Sequence, residues 1–146
     1  MSEPLGSDAA KLLASALDQL VPARDDGRLP GAGALGLAEF VAQAASRDPE
    51  LRGALAELLA GLAADGFAAL EPAAQTASLE RLSQAAPGAF RQLVVHAYRG
   101  YYCHPRVVEA LGLEPRPPFP KGYAVAPTDF SILDPVRRRE KLYRDC

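Results

Sequence analysis

The segment "HAYRGYYCHP", residues 96–105, brings together histidine, cysteine and tyrosine, residue types that bind metals or move protons in many active sites. His96, Cys103 and His104 are all possible metal ligands. If one helix carries both histidines, eight residues separate them by roughly 12 Å along its axis, whereas metal–nitrogen bonds are about 2 Å long. Pro105 comes too late to bend the chain between them. The spacing therefore argues against a metal site.

A nucleophile with a neighbouring base is the other chemistry that this segment offers. Adjacent side chains on a helix diverge by about 100°, so Cys103 and His104 would not face each other. Ser131 is a further candidate partner for His96, but no nucleophile elbow surrounds it. We expect His104, which precedes a proline, to be a hydrogen-bonded helix terminus. The alternative that stays open is a small stand-alone metal-binding or enzymatic helical protein that uses Tyr102, Cys103 and His104.

The segment "GAGALG", residues 31–36, matches the G-x-G-x-x-G pattern of dinucleotide-binding loops. That pattern binds a pyrophosphate only when a buried strand precedes it and a helix follows. Here "DDGRLP" precedes it, which predicts a turn, and no second strand ending in an acidic residue follows. We therefore expect these glycines to serve a loop and a close approach between helices. We expect no catalytic, cofactor-binding or metal-binding residues in this chain.

The elements that must position these residues are helices. The apolar residues of the first ninety positions are mostly alanine and leucine, with few β-branched residues, which favours helices over strands. We predict an all-α fold, a small helical bundle over residues 1–112. The first predicted helix is capped by Ser7 or Asp8 and stops at Pro22, and the second covers about 34–46. A third helix starts at Asp48-Pro49 with a cap and ends at Gly66, and two more start at Glu71-Pro72 and at Pro87. A short helical turn follows Pro105 and ends at Gly112.

Beyond residue 112 the composition changes. Residues 105–135 hold seven of the thirteen prolines, and eight of the ten aromatic residues lie at or beyond Phe90. Each proline removes a backbone donor and favours extended geometry in the residue before it. We therefore predict that residues 113–146 form an extended arm, from Leu113 to Leu133, and a short basic helix over 135–144 capped by Asp134. The arm either belongs to the same single domain or binds a partner.

Charge and cysteine content limit the class of protein. Residues 1–90 carry a net charge of −6 and residues 91–146 a net charge of +4, but no nucleic-acid recognition motif accompanies the basic part. Cys103 and Cys146 are too few for a disulfide framework; one bridge between them is possible, but two thiols in a reducing compartment is the simpler interpretation. No apolar run approaches the length of a membrane span, and we see no export signal. The expected location is the cytoplasm.

The aromatic residues of the C-terminal part predict a protein interface. Tyr98 and Tyr101 have the spacing of core positions, whereas Tyr102 points about 100° away from Tyr101. Tyr101 and Tyr102 cannot both be deeply buried in one small bundle, so one of these two should face the arm or a partner. Aromatic residues too numerous for a solvated linker suggest cover by a second protein, although the arm packing back onto its own bundle is the alternative. The interface candidates are Tyr102, His104, Phe119, Tyr123, Phe130, Val136, Leu142 and Tyr143.

Two segments, "LDQLVPARDDGRLPGAGALGLAEFV" and "FRQLVVHAYRGYYCHPRVVEALG", resemble the gluconate 2-dehydrogenase subunit 3 family, and the resemblance extends over the chain from about Leu12. It implies a non-catalytic, chaperone-like accessory subunit of a flavin-dependent oxidoreductase of the glucose-methanol-choline (GMC) class. In such complexes the large subunit carries FAD and the chemistry. The small subunit assists its folding, stability or export. Many members have a twin-arginine signal that this sequence lacks, which implies a cytoplasmic complex or export with a signal-bearing partner.

Overall fold

The computed structural model describes residues 5–117, 119–122 and 124–140, and this part of the chain is all-α, as the sequence predicts. Two short 3-10 turns, Phe67–Ala69 and Phe130–Leu133, accompany the helices. The α-helices are α1 (Ser7–Leu20), α2 (Leu37–Arg47), α3 (Pro49–Ala64), α4 (Pro72–Ala85), α5 (Pro87–Cys103), α6 (Pro105–Ala110) and α7 (Asp134–Arg137).

Prolines mark the starts of α3 to α6, as the sequence predicts. Each stands at the beginning of its helix, where a backbone N–H would have no intrahelical partner. At the start of α3, the Asp48 carboxylate accepts hydrogen bonds from the backbone N–H groups of Glu50 at 2.9 Å and Leu51 at 3.2 Å. The predicted Asp48 cap is therefore confirmed.

Two other predicted caps are wrong. Ser7 and Asp8 already lie inside α1, which follows Gly6 without a side-chain cap. Asp134 has helical backbone angles inside α7, and its carboxylate contacts the Arg137 guanidinium at 3.3 Å instead of capping the helix. A cap requires an extended residue before the first turn, and sequence alone does not reveal where that turn begins. Asp129 does cap the preceding 3-10 turn, by accepting from the Ser131 N–H at 2.9 Å.

The chain divides into two compact units, residues 1–115 and 116–146. In the first unit, α5 packs against α2, α3, α4 and α6. The main core joins α1, α2, α3, α5 and α6, and a smaller cluster lies around Phe67. Fully or almost fully buried side chains of the main core include Leu13, Leu17, Val41, Leu51, Leu58, Leu93, Ala97, Tyr101 and Val107.

A buried amide ties three elements of this bundle together. The Gln75 side chain on α4 accepts a hydrogen bond from Gln19 Nε2 of α1 at 2.7 Å and donates to the Phe67 carbonyl oxygen at 3.0 Å. Gln75 is only 8% exposed, so both bonds compensate for the loss of water around a polar group.

The second unit, residues 116–146, contains one 3-10 turn and α7 among its described residues. Arg116 Nη2 donates to the Gly122 carbonyl oxygen at 2.6 Å, which closes a loop within this unit. Large apolar side chains are exposed along it: Phe119, Val125, Phe130, Ile132, Leu133 and Val136. Of the helix predicted over 135–144, the structure shows α7 as far as Arg137, and residues 141–146 lie outside the described part.

An ion pair connects the end of α3 to α4. The Asp65 carboxylate accepts a short hydrogen bond from the buried Ser78 hydroxyl and pairs with Arg81 Nη2 at 2.9 Å. The Ser78 hydrogen bond, together with the Arg81 guanidinium, lowers the pKa of Asp65 from its ordinary value.

The stability of the Asp65→Asn variant should depend less on pH in the acidic range than the stability of wild type. Because folding lowers the pKa of Asp65, its carboxylate stabilises the protein above the unfolded pKa, and this contribution is lost as the pH falls through the folded pKa. Urea midpoints measured from about pH 7 to about pH 2 should show wild type above the variant at neutral pH and the two converging below about pH 4. Asp25→Asn, at an exposed loop residue, is the control. A constant gap between Asp65→Asn and wild type across the series would contradict the expectation.

Candidate functional site

The loop between α1 and α2, residues 21–36, which we call the anchor loop, is held by its own backbone. Arg24 N–H donates to the Leu29 carbonyl at 2.9 Å, and Gly27, with a positive φ of 70°, makes the turn between them. The Asp26 carboxylate accepts from the Arg28 N–H at 3.0 Å and pairs with the Arg24 guanidinium at 2.9 Å. The Asp26 carboxylate and the Arg24 guanidinium therefore stabilise the loop itself.

The glycines of the anchor loop close around a carboxylate of this same chain. Asp18 Oδ1, on α1, accepts hydrogen bonds from the Gly33 N–H at 2.7 Å and the Ala34 N–H at 3.3 Å. A Cβ at Gly31 would overlap the Asp18 carboxylate, and a Cβ at Gly33 would overlap the Ala14 carbonyl oxygen. The expectation that these glycines serve a loop and a close helix approach is confirmed. The backbone N–H groups of Gly33 and Ala34, which lie in the G-x-G-x-x-G segment, therefore bind the Asp18 carboxylate of this chain.

A buried tyrosine joins the anchor loop to α5. Tyr101 is 2% exposed, and its hydroxyl donates to the Pro30 carbonyl oxygen at 2.9 Å. Burial, with a smaller contribution from Tyr102, raises the pKa of the Tyr101 phenol, so it stays a neutral donor. Nearby, Arg28 Nη2 donates to the Ala110 carbonyl at the end of α6 at 3.2 Å. Two segments far apart in sequence therefore form one end of the bundle.

His104 is the N-cap of α6, as predicted. Its Nδ1 accepts a hydrogen bond from the Arg106 backbone N–H at 3.3 Å. Cys103 and Tyr102 are exposed beside it. Cys103 and His104 also line a shallow depression of about 370 Å³, together with Phe40, Glu39 and other residues of α2 and the anchor loop. Among the described residues, no three histidine, cysteine or acidic side chains come close enough to hold a metal ion.

The prediction that Tyr98 is a core residue is wrong. The predictions that Tyr101 is a core residue and that Tyr101 and Tyr102 are not both buried are confirmed, whereas contact of Tyr102 with the arm or a partner stays a prediction. Tyr101 is buried, but Tyr98 is 46% and Tyr102 is 56% exposed. The Tyr102 ring packs edge-on against Tyr101, with centroids 5.3 Å apart, and lies 6.1 Å from the Tyr98 ring. Tyr98 continues the outward stripe of α5 that passes through Val95 and Tyr102, rather than the inward stripe that ends at Tyr101.

The interface candidates in the second unit are placed only in part. Phe119 is 84%, Phe130 60% and Val136 58% exposed. Tyr123, Leu142 and Tyr143 lie outside the described residues, so their predicted role stays a prediction.

Sequence reasoning missed an apolar groove in the first unit. It has a volume of about 560 Å³ between α1, α2 and α3, and Glu39 and Arg52 stand among its small apolar residues. Its wall is made by alanines and leucines such as Ala38, Ala42, Leu55 and Leu59, which read as ordinary core positions in sequence. No local motif marks such a groove.

The fold and the contacts at this end of the bundle place the chain in the class of small all-α proteins. The first compact unit is a small all-α bundle in which Asp18, Tyr101 and His104 hold loops and helix ends, and Tyr98 and Tyr102 are left on the outside.

The chain belongs to the gluconate 2-dehydrogenase subunit 3 family, whose sequence profile matches residues 7–116. The family is thus that of a subunit of a dehydrogenase complex. The match covers almost all of the first compact unit and stops where the second begins, so it is shorter at the C-terminal end than the sequence resemblance suggested. No curated protein and no solved structure matches the chain. Within the described residues, none of the helices combines the length and the hydropathy that a membrane span requires.

The Gly33→Ala variant should lose stability, because its new methyl group would overlap the Ala14 carbonyl oxygen. We expect a loss of about 1–3 kcal/mol in the free energy of unfolding. Gly53→Ala is the matched control: Gly53 is exposed within α3 with no atom near its missing Cβ, so the same substitution should stabilise by about 0.5–1 kcal/mol. Urea denaturation measures both, and equal effects would contradict the close approach.

The Tyr101→Phe variant tests the link between α5 and the anchor loop. Loss of the hydroxyl should lower the free energy of unfolding by about 0.5–1.5 kcal/mol, because the Pro30 carbonyl loses its donor. Hydrogen exchange of the Arg24 and Gly27 amides should also become faster. Tyr98→Phe, which removes an exposed hydroxyl from the same helix, is the control. Unchanged loop exchange in Tyr101→Phe would show that the hydroxyl does not hold the loop.

Proposed function

We propose that this chain is the non-catalytic small subunit of a flavin-dependent, GMC-type sugar or alcohol dehydrogenase. In this proposal the large subunit binds FAD and carries out the oxidation, and the small subunit stabilises it. The observation that carries the proposal is the family match, which spans nearly the whole compact bundle.

The structural use of the reactive side chains supports an accessory role. The Asp18 carboxylate binds loop amides, the Tyr101 phenol binds a loop carbonyl, and the His104 imidazole accepts from a helix N–H. A catalytic acid or base needs its polar atom directed at a substrate. In these three residues the polar atom is directed at the backbone of the chain itself.

The exposed apolar side chains of the second unit support a protein partner. Ordering a chain segment costs about 1–2 kcal/mol per residue, which buried apolar surface normally offsets. Phe119, Val125 and Ile132 are each at least 70% exposed, so they bury little surface in the described structure. In the proposal, residues 113–146 run along the large subunit and bury these side chains there, together with Phe130 and Val136.

Purification of the tagged full-length chain from its own cells tests the proposal. A second, larger polypeptide should co-purify, show the absorbance spectrum of bound flavin and reduce a dye when a sugar or alcohol is added. The flavin should remain with the larger polypeptide when the two are separated. Recovery of the chain alone, or dye reduction by the isolated chain, would contradict the proposal.

A small metal-binding or enzymatic protein is the second candidate, because Cys103 and His104 both line the depression beside α2. Metal analysis of the purified chain and of a Cys103→Ala/His104→Ala variant separates the two functions. Stoichiometric metal that is lost in the variant would favour this candidate over the accessory subunit.

A further inference from the structure

One side of α5 is exposed along nearly its whole length. At about 100° per residue, Arg91, Val95, Tyr98, Arg99 and Tyr102 fall within an arc of about 100°. All five are exposed, whereas Leu93, Ala97, Gly100 and Tyr101, on the opposite arc, are buried. We call these five residues the α5 outer face.

The charge of this face differs from that of the rest of the bundle. Residues 86–106 contain three arginines and no aspartate or glutamate, whereas residues 5–85 contain six basic and eleven acidic residues. Within the described residues, neither the Arg91 nor the Arg99 guanidinium pairs with a carboxylate. The solvent face of a helix usually mixes both signs and forms pairs three or four residues apart. The α5 outer face consists of two arginines, two tyrosines and a valine, with no acidic residue.

The aromatic rings of this face are held in place before any partner binds. Tyr102 packs against both Tyr98 and the buried Tyr101, and the Pro30 carbonyl fixes Tyr101. A side chain that is already ordered loses less conformational entropy when it is buried by a partner. Tyrosine and arginine are also the residues most often found at the energetic centre of protein interfaces.

We propose that the α5 outer face is the docking surface for an acidic patch on the larger subunit of the complex. This inference rests on the proposed function. In it, Arg91 and Arg99 pair with carboxylates of the partner, and Val95, Tyr98 and Tyr102 bury their apolar surface between them. The face lies inside the range that matches the family, whereas residues beyond 116 do not. A protein fits better than a nucleic acid or an anionic membrane, because the cations are few and the chain as a whole has a net charge of −2.

The test uses full-length chains and the flavoprotein that co-purifies with wild type. Arg91→Glu/Arg99→Glu should weaken its binding about tenfold or more and make the remaining binding less sensitive to salt. Tyr98→Ala/Tyr102→Ala should weaken it about tenfold with the salt dependence of wild type. Lys11→Glu, at an exposed lysine of α1, makes the same kind of charge change elsewhere and should stay within about twofold of wild type.

Circular dichroism on each variant verifies that the helices are intact, and Arg91→Gln/Arg99→Gln replaces the charge reversal if the latter unfolds. Binding within about twofold of wild type for both face variants would overturn the inference while leaving the proposed function in place. If wild type captures no flavoprotein, the proposed function fails first and the inference falls with it. Binding to phosphatidylglycerol vesicles or duplex DNA that the arginine variants abolish, with flavoprotein binding unchanged, would also overturn it.

Discussion

The hydrogen bond from the Tyr101 hydroxyl to the Pro30 carbonyl joins parts of the chain that lie 71 residues apart. On one side of it, the anchor loop is already closed by the Asp26 carboxylate and by the amides that bind Asp18. On the other side, α5 is packed against four other helices. Because the phenol is buried, the bond is shielded from competition with water, and its loss would leave a polar group unpaired. The loop and the aromatic end of α5 therefore share one fixed arrangement.

That arrangement explains how a small bundle can present a rigid aromatic surface. Tyr102 rests edge-on against Tyr101, and Tyr98 lies beside Tyr102, so the order of the buried ring extends to the exposed ones. Edge-on packing of this kind stabilises both rings beyond the area that they bury. Of the residues that suggested chemistry in the sequence, Tyr102 and Cys103 are thus left exposed, and His104 caps a helix. This division fits a chain from a family of dehydrogenase subunits.

Much of this fold could be predicted because its signals are local. Pro49 and Pro87 mark the first turns of their helices. The Asp48 carboxylate caps α3 through backbone N–H groups within three residues of it, and His104 caps the helix that begins at Pro105. The glycine pattern was also interpretable, since the absence of a preceding strand in the sequence already separated it from a dinucleotide loop.

What could not be predicted depends on contacts between distant residues. Helical spacing shows that Tyr101 and Tyr102 point about 100° apart, with Tyr98 between them, but it does not say which arc of α5 meets the other helices. Gln75 looks like a surface residue until α1 supplies Gln19 as its partner. Asp18 has no local sign that a loop fifteen residues later will surround it. In each case the partner is chosen by the packing of the bundle.

The central claim, that the α5 outer face is covered by the larger subunit, is tested most directly by hydroxyl-radical footprinting read out by mass spectrometry. Tyr98 and Tyr102 are about half exposed in the chain alone, so both should be oxidised readily there. In the complex with the flavoprotein, we expect strong protection of these two rings, while Phe40, a ring of α2 outside the outer face and 40% exposed, changes little. Equal oxidation of Tyr98 and Tyr102 in the free chain and in the complex would contradict it.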